Sequence, residues 1–199
     1  MDLEFWQRKW RDGQIGFHMA EKHPFLLKYW GQLGLDGRGR VFVPMCGKSN
    51  DMVWLRSQGH ELLGVELSAV AIESFCELVE GKFVSDQVGV LNRHTGNGYV
   101  LLVGDYFALD RNLLGAVAAV YDRGSLVALP PKTRKDYVAL QRELLSSGAQ
   151  ILLIAFEYDQ SEMAGPPFSI DAYEVNELYA DWCEVELLES SEAVSALPK

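Results

Sequence analysis

The amino-acid sequence predicts an α/β fold, a Rossmann-like, doubly wound and mostly parallel sheet. Short, nearly continuous apolar runs alternate with longer amphipathic segments from Val41 onward. Strands that are apolar at almost every position are typical of parallel strands covered on both faces, and alternating strands and helices supply the crossovers. Since 199 residues suffice for one sizeable core but hardly for two, we expect a single domain over residues 1–199.

The predicted elements follow one another in the order that this fold requires. Ser68 precedes a helical pattern and is placed to cap it, while Asn97-Gly98 is a strong hairpin signal. The predicted strands are residues 41–46, 61–67, two runs within 88–106 around Asn97-Gly98, 116–121, 150–157 and 184–189. The predicted helices are residues 51–58, 69–80, 131–147 and 171–181, with a helical lid in residues 1–30 before an α/β core in 41–189.

Composition excludes several classes of function. A formal net charge of −10 disfavours a nucleic-acid partner, because no net positive field is present to release counterions. The three cysteines show neither CxxC pairing nor metal-ligand spacing with the four histidines, so we expect no metal and a reducing compartment. The N-terminal residues lack the apolar core of a signal peptide, and no apolar run is long enough to span a membrane. We therefore expect a cytoplasmic monomer that binds a small molecule and neither membrane nor nucleic acid.

Ligands of doubly wound sheets bind beyond the carboxyl ends of the strands. Glu66 ends the second predicted strand, 19 residues after Gly47, and a carboxylate there can accept both hydroxyl hydrogens of an adenosine ribose; the alternative is a solvated strand-end glutamate. The turn before it contains Gly-Lys-Ser but lacks the first glycine of a phosphate loop, since position 42 is Phe42. The glycine spacing of a dinucleotide fingerprint is also missing. The turn therefore favours an adenosyl sulfonium over a ligand with a pyrophosphate.

The N-terminal segment is unusually aromatic. Trp6 and Trp10 are four residues apart, so one face of a helix would carry both. Indole faces attract cations, and a sulfonium is a cation. On composition alone, packing of this face onto the core is the more frequent explanation.

Five short motifs resemble those of the thiopurine S-methyltransferase family, over residues 6 to about 189. They occur in the family's order, and although each is weak alone, five in register are a strong match. The motifs are Trp6-Gln-x-x-Trp10-x-x-Gly13-x-x-x-Phe17-His18, Pro44-Met45-Cys46-Gly47-Lys48, Gly64-Val65-Glu66-Leu67-Ser68, Asp122-Arg123-Gly124-Ser125-Leu126 and Gly165-Pro166-Pro167-Phe168.

The resemblance implies a class I methyltransferase sheet and methyl transfer from S-adenosylmethionine to an aromatic thiol. Similar bacterial enzymes are associated with selenium and tellurium compounds, which makes metalloids a second acceptor class. The positions that match the family's cofactor-binding residues are Trp6, Trp10, Phe17, Met45, Glu66, Asp105, Tyr106 and Arg123, of which Phe17 and Arg123 also match positions facing the substrate.

We assign no general base, because a thiol ionises near neutral pH far more readily than a hydroxyl and needs no strong base. For Arg123 we weigh a role at the site against an ion pair with Asp122. His18, beside Phe17, is a candidate to line the site, whereas His23, His60 and His94 are expected at the surface.

The sequence departs from the family in one respect. No apolar run after residue 189 matches the antiparallel strand with which family members complete the sheet. We therefore expect a sheet without that strand, and no substrate contact can be assigned beyond it. Two alternative functions are an oxidoreductase that uses an adenosine cofactor and a non-catalytic protein that only binds S-adenosylmethionine.

Overall fold

A computed structural model describes residues 3–35 and 37–192 and contains one seven-stranded sheet in the order β3-β4-β5-β2-β1-β6-β7. The strands are β1 (Arg40–Val43), β2 (Glu61–Glu66), β3 (Val84–Val88), β4 (Leu91–Gly96), β5 (Tyr99–Val103), β6 (Ala119–Arg123) and β7 (Gln150–Ile154). The helices are α1 (Leu3–Arg11), α2 (Pro24–Tyr29), α3 (Asn50–Ser57), α4 (Ala69–Leu78), α5 (Arg111–Leu114), α6 (Pro131–Leu144) and α7 (Ala172–Tyr179).

The central strands are parallel, as predicted, and their side chains alternate between two apolar clusters. In β1, Val41 and Val43 belong to one cluster while Phe42 belongs to the other. Helices α2, α3 and α4 add their apolar side chains to the Val41 cluster, and α6 and α7 add theirs to the Phe42 cluster. Because successive residues of a strand point to opposite faces, both faces of the sheet are covered, and the doubly wound prediction is confirmed.

The hairpin predicted at Asn97-Gly98 joins β4 to β5. Both turn residues have positive φ, 54° at Asn97 and 83° at Gly98, and such turns match the twist of the strands that they connect. The sequence patterns did not predict β3, which pairs with β4 at the edge of the sheet. Its residues are mostly exposed, so it carries little of the apolar patterning that marks a buried strand.

The prediction of a strand in residues 184–189 is wrong. These residues form neither strand nor helix, and Glu189 instead accepts hydrogen bonds from the Lys28 ammonium at 2.6 Å and the Tyr29 hydroxyl at 2.5 Å. Strand β7 forms one edge of the sheet, and no strand follows it in the described part of the chain. No helix in residues 3–35 and 37–192 has the length and apolar character needed to cross a membrane.

Candidate functional site

Four adjacent parallel strands bring the predicted site residues to one edge of the sheet. The order β5-β2-β1-β6 places Asp105, Glu66 and Arg123 beyond neighbouring carboxyl ends, together with the turn of residues 44–48 that follows β1. The strands are held in register, since Glu66 lies beside Val103 and its carbonyl accepts from the Gly104 amide at 2.9 Å. The residues predicted from strand ends therefore lie on neighbouring strands at the same end of the sheet.

The turn of residues 44–48 has a constrained backbone. Met45 has φ 45° and Gly47 has φ 53°, and for a residue with a side chain this conformation costs roughly 1–2 kcal/mol. The Cys46 amide donates to the Val65 carbonyl at 3.0 Å, and the Ser125 hydroxyl donates to the Pro44 carbonyl at 2.6 Å. These bonds to β2 and to the residues after β6 hold the turn, while the half-buried Met45 packs against the Phe42 cluster.

Glu66 is buried beneath this turn. Its Oε2 accepts from the Gly47 amide at 2.9 Å, and its Oε1 accepts from the Ser68 amide at 2.8 Å. Burial raises the pKa of Glu66, against the opposing effect of these backbone donors. A carboxylate can accept more hydrogen bonds than these, so Glu66 keeps some acceptor capacity beside its backbone donors.

Trp10 covers the same turn from above. Its indole is 7% exposed and lies so close to Gly47 that a Cβ built there would be 2.9 Å from Trp10 Cζ2. Two features therefore require glycine at position 47: the positive φ, and the closeness of the Trp10 ring, which leaves no room for a Cβ. Trp10 and Glu66 thus both contact Gly47, Trp10 through its ring and Glu66 through the Gly47 amide.

Phe17 joins the two tryptophans of the lid. Its ring lies edge-on to Trp6 at 5.5 Å and to Trp10 at 5.4 Å between centroids, and it remains 41% exposed. Aromatic edge contacts of this kind stabilise a packed cluster. Trp6 is consequently separated from the turn by Phe17 and Trp10 and belongs to the outer part of the lid.

Arg123 and Asp122 do not form the ion pair considered above. Asp122 is fully buried, accepting from the Tyr137 hydroxyl at 2.6 Å and from the Leu126 amide at 3.2 Å, and burial raises the pKa of its carboxyl. Arg123 is half-buried, and its guanidinium has no ion-pair or hydrogen-bond partner within residues 3–35 and 37–192. Asp122 is therefore structural, while Arg123 offers an uncommitted cation at the end of β6.

Asp105 and Tyr106 hold the backbone that follows β5. Asp105 caps the short turn of residues 106–108 by accepting from the Phe107 amide at 3.1 Å. Tyr106 is 2% exposed, and its hydroxyl donates to the Tyr137 carbonyl at 3.2 Å. The side chain of Tyr106 is thus committed to the core, and its backbone is the part that can face a ligand.

The sequence patterns missed Asp51, which ties the lid to the sheet. This buried carboxylate accepts from the His23 amide at 2.8 Å and from the Tyr121 hydroxyl at 2.8 Å. Beside it, the Asn50 amide group donates to the carbonyls of Met19 and Ala20. An acidic residue in the first turn of a helix is so common that its position alone gave no indication of this role.

The expectation of surface positions is wrong for His60. It is 1% exposed and accepts from the Trp30 indole at 3.0 Å. His23 is half-buried and caps α2 by accepting from the Phe25 amide at 3.2 Å. Both rings have structural roles.

A surface groove of about 710 Å³ lies elsewhere, over the antiparallel strands β3 and β4 and beside α5. It contains none of the predicted site residues, and its lining includes the paired side chains of Asp86 and Arg93. The carboxyl-end geometry, which brings together a buried carboxylate, a constrained turn and an uncommitted cation, is the stronger evidence for a site.

The family model for thiopurine S-methyltransferase (TPMT) matches residues 1–199. The chain belongs to the thiopurine S-methyltransferase family. It is 42% identical over 199 residues to a thiopurine S-methyltransferase of Shewanella amazonensis, covering 100% of this chain and 91% of the relative. It is 43% identical over 200 residues to one of Nitrosospira multiformis, covering 100% of this chain and 90% of the relative.

Solved methyltransferases share the fold of this family member. The 1,6-didemethyltoxoflavin-N1-methyltransferase of Burkholderia thailandensis, bound to S-adenosylhomocysteine, superposes with a TM-score of 0.64 at 17% identity, over 90% of this chain and 74% of that one. A TehB-like methyltransferase of Corynebacterium glutamicum gives 0.56 at 13% identity, over 90% and 81%. The sheet is that of a class I methyltransferase, S-adenosylmethionine is the cofactor, and the enzyme transfers a methyl group.

Proposed function

We propose that this enzyme moves the methyl group of S-adenosylmethionine to the sulfur of thiopurines or of other aromatic and heterocyclic thiols. The observation that carries the proposal is the uncommitted Arg123 guanidinium, on the strand edge shared with Glu66, in a chain of this family. A guanidinium stays charged at every relevant pH and suits a thiolate or an electron-rich heterocycle. Selenium and tellurium compounds form the second acceptor class to be compared.

The residues present fit the cofactor. Glu66 would accept from the ribose hydroxyls beside its backbone donors, and the turn at Met45 would face the adenosyl group beneath Trp10. Asp105 and the backbone of Tyr106 would flank the adenine. When bound, S-adenosylmethionine supplies a methyl group that its sulfonium already activates.

The protein's contribution to the reaction is therefore mainly positional. Phe17, which is exposed in the lid, and Arg123 would orient the acceptor, while Trp6 would extend the lid over the site. Holding two reactants in line can lower a barrier by about 7 kcal/mol or more. With Trp10 over the turn, the lid would also restrict the access of water to the methyl donor, which would limit hydrolysis.

The test combines binding with turnover. Calorimetry should show binding of S-adenosylhomocysteine, and the wild-type chain should then methylate thionitrobenzoate and 6-mercaptopurine. Binding without methylation of any thiol or selenium acceptor would indicate a non-catalytic protein, and binding of NAD instead would indicate an oxidoreductase.

Arg123→Ala tests the residue that carries the proposal. We expect turnover to fall by at least about tenfold, because truncation removes the positive charge proposed to stabilise the thiolate. The fold should be unchanged, because Arg123 forms no ion pair with any described residue. Arg142→Ala, which removes an exposed guanidinium paired with Asp181, serves as the control. Wild-type kinetics in Arg123→Ala would remove Arg123 from the mechanism.

A further inference from the structure

His18 differs from the other histidines in having an uncommitted ring. His23 caps α2, His60 accepts from Trp30, and the His94 ring bonds the Ser85 hydroxyl at 2.9 Å. Neither ring nitrogen of His18 bonds any residue in the described ranges, although the ring is half-buried. A partly buried imidazole with both nitrogens available can accept a proton from a ligand.

The backbone around His18 fixes where the ring lies. The His18 amide donates to the Ile15 carbonyl at 2.8 Å, and the next two carbonyls, of Met19 and Ala20, accept from the Asn50 side chain. The residues around His18 are thus held against the start of α3, the helix that follows the turn of residues 44–48.

A second tether connects the same segment to the strand of Arg123. The Asp51 carboxylate bonds both the His23 amide and the hydroxyl of Tyr121, which lies two residues before Arg123 in β6. The lid segment therefore spans from Phe17 at the aromatic cluster to the carboxyl end of β6. His18 lies in this segment, between Phe17, whose ring contacts Trp10, and the residues bonded to Asn50.

Two cations and one carboxylate act on His18. Lys48, from the turn after β1, and Arg123, from the end of β6, lower the pKa of its imidazole together with burial, which is the largest cause, while Asp51, from α3, raises it. Neither Lys48 nor Arg123 has an ion-pair partner anywhere in the described part of the chain. Burial and the two cations thus favour the neutral form of the His18 imidazole, and the same cations would favour an anion next to it.

We propose that His18 takes the proton from substrates that arrive as neutral thiols, and that Lys48 and Arg123 stabilise the thiolate that forms. The thiol proton passes to an imidazole nitrogen, and its electron pair stays on sulfur. That pair forms the new sulfur–methyl bond as the methyl–sulfonium bond breaks, which leaves S-adenosylhomocysteine neutral at sulfur. The imidazolium then releases its proton to water. This inference rests on the proposed thiol methylation.

The test compares two acceptors in one variant, His18→Gln, at pH 6. For 4-methylthiophenol, which is mostly protonated at that pH, we expect kcat/KM to fall by about ten- to a hundredfold. For thionitrobenzoate, which is already ionised, we expect it to change less than about twofold. His94→Gln, on the hairpin, is the matched control and should leave both acceptors unchanged.

Each outcome decides between the two proposals. Equal losses for both acceptors would make His18 a structural residue, and no loss for either would exclude it as the base. If the wild-type enzyme methylates neither acceptor, the proposed function itself fails.

A second readout is independent of turnover. The imidazole resonance that disappears in His18→Gln should titrate below pH 6.5, because the pKa of His18 is lowered. It should also shift when 4-methylthiophenol is added to the enzyme with S-adenosylhomocysteine. A His18 resonance whose chemical shift does not change when the thiol is added would overturn the proposal.

Discussion

The charge of Glu66 serves the turn after β1 and is required by the proposed ribose role. Its carboxylate accepts from the amides of Gly47 and Ser68 and so holds that turn in place, and we propose that it also accepts from the ribose hydroxyls. Hydrogen bonds to a charged group contribute more than those between neutral groups. A buried acid is therefore retained here although its burial opposes ionisation, as its raised pKa shows.

Replacement of Glu66 by glutamine should weaken cofactor binding. An amide has one oxygen where the carboxylate has two, and loss of a hydrogen bond to a charged group costs about 1.5–3 kcal/mol. We expect the Kd for S-adenosylhomocysteine to rise by about ten- to a hundredfold in calorimetry. Glu77→Gln, on the exposed face of α4, is the control. An unchanged Kd in Glu66→Gln would exclude the ribose role.

Asp122 should make stability depend on pH. Burial raises the pKa of its carboxyl above the ordinary value of 3.8, so between those two pKa values the folded state binds more protons than the unfolded state. The contribution of Asp122 to the free energy of unfolding is therefore fully present below pH 3.8, and it is lost as the pH rises through the pKa of the folded state. Because an asparagine side chain does not titrate, the unfolding free energy of the Asp122→Asn variant should improve relative to wild type as pH rises. Urea unfolding of both proteins from about pH 4 to 7 measures this, and a difference that is constant with pH would contradict it.

At the scale of whole elements, α1 docks on the turn after β1 through Trp10. The Trp10 ring occupies the space that a side chain at Gly47 would need. The helix is short, with nine residues, and would be marginal alone. Its docking against that glycine therefore adds to the bonds through which Asp51 and Asn50 hold the rest of the lid.

Gly47→Ala should therefore displace the lid. The new Cβ would lie 2.9 Å from Trp10 and would sit at a φ of 53°, so either the ring moves or the turn is strained. We expect a red-shifted tryptophan emission and a cofactor affinity at least about tenfold weaker. Gly13→Ala, also at positive φ but with open space around its Cβ, separates the effect of backbone strain from that of the contact. Equal effects in the two variants would show that the contact with Trp10 is unimportant.

The loop of residues 155–170 is held by a buried ion pair between α6 and α7. Arg134, whose side chain is 1% exposed, bonds both oxygens of Glu174 at 2.6 Å and donates to the carbonyls of Leu129 and Ser169. Its guanidinium lies over the Phe168 ring, in the Gly165-Pro166-Pro167-Phe168 motif, where both X-Pro bonds are cis. Arg134 thus holds the motif in place through its contacts with Phe168 and Ser169.

Glu174→Gln should loosen that loop. Removing one charge leaves the Arg134 guanidinium buried without its anion, and since Glu174 is one-third exposed we expect a loss of about 2 kcal/mol, less than for a fully buried pair. In a chain of this length that corresponds to a decrease in Tm of about 4–8 °C. Glu177→Gln, exposed on the same helix, should leave Tm unchanged. A Tm equal to that of wild type would show that the pair contributes nothing net.

The elements that the sequence predicted best are those in which local pattern and long-range packing agree. Strands β1, β2 and β6 are apolar because both of their faces are buried, and Asn97-Gly98 fixes a hairpin by its own φ preferences. Residues 184–189 alternate as a strand would, but the pattern does not indicate which strand they would pair with. In the structure, Glu189 accepts a hydrogen bond from Tyr29 of α2 instead.

For the site, the sequence could place the strand ends but not the side-chain partners. Glu66 was predicted because carboxyl ends of parallel strands converge, and Arg123 was predicted by the resemblance to the family. That Asp122 bonds Tyr137 rather than Arg123, and that Asp51 ties the lid to β6, depends on contacts between residues 15 to 70 positions apart. No local pattern encodes these contacts.

At the scale of the whole molecule, the two apolar clusters share the strands of one sheet, so neither can lose its packing without the other. Along β1 and β2, residues of one cluster alternate with residues of the other. The lid is bonded to the same sheet through Asp51. This arrangement predicts that residues 1–199 unfold in a single cooperative transition, as one domain does. The site lies where these strands end, so a ligand bound there stabilises the whole unit.

S-adenosylhomocysteine should accordingly raise the Tm of the single transition rather than create a second one. A ligand at a hundred times its Kd stabilises the folded state by about 2.7 kcal/mol, which in a chain of this length corresponds to a rise of about 5–10 °C. Calorimetric scans with and without the ligand measure both quantities, and Glu66→Gln at the same ligand concentration should show a smaller rise because its Kd is weaker. Two separate transitions, with only one responding to ligand, would contradict the single-domain prediction and would place the lid or the residues after β7 outside the cooperative unit.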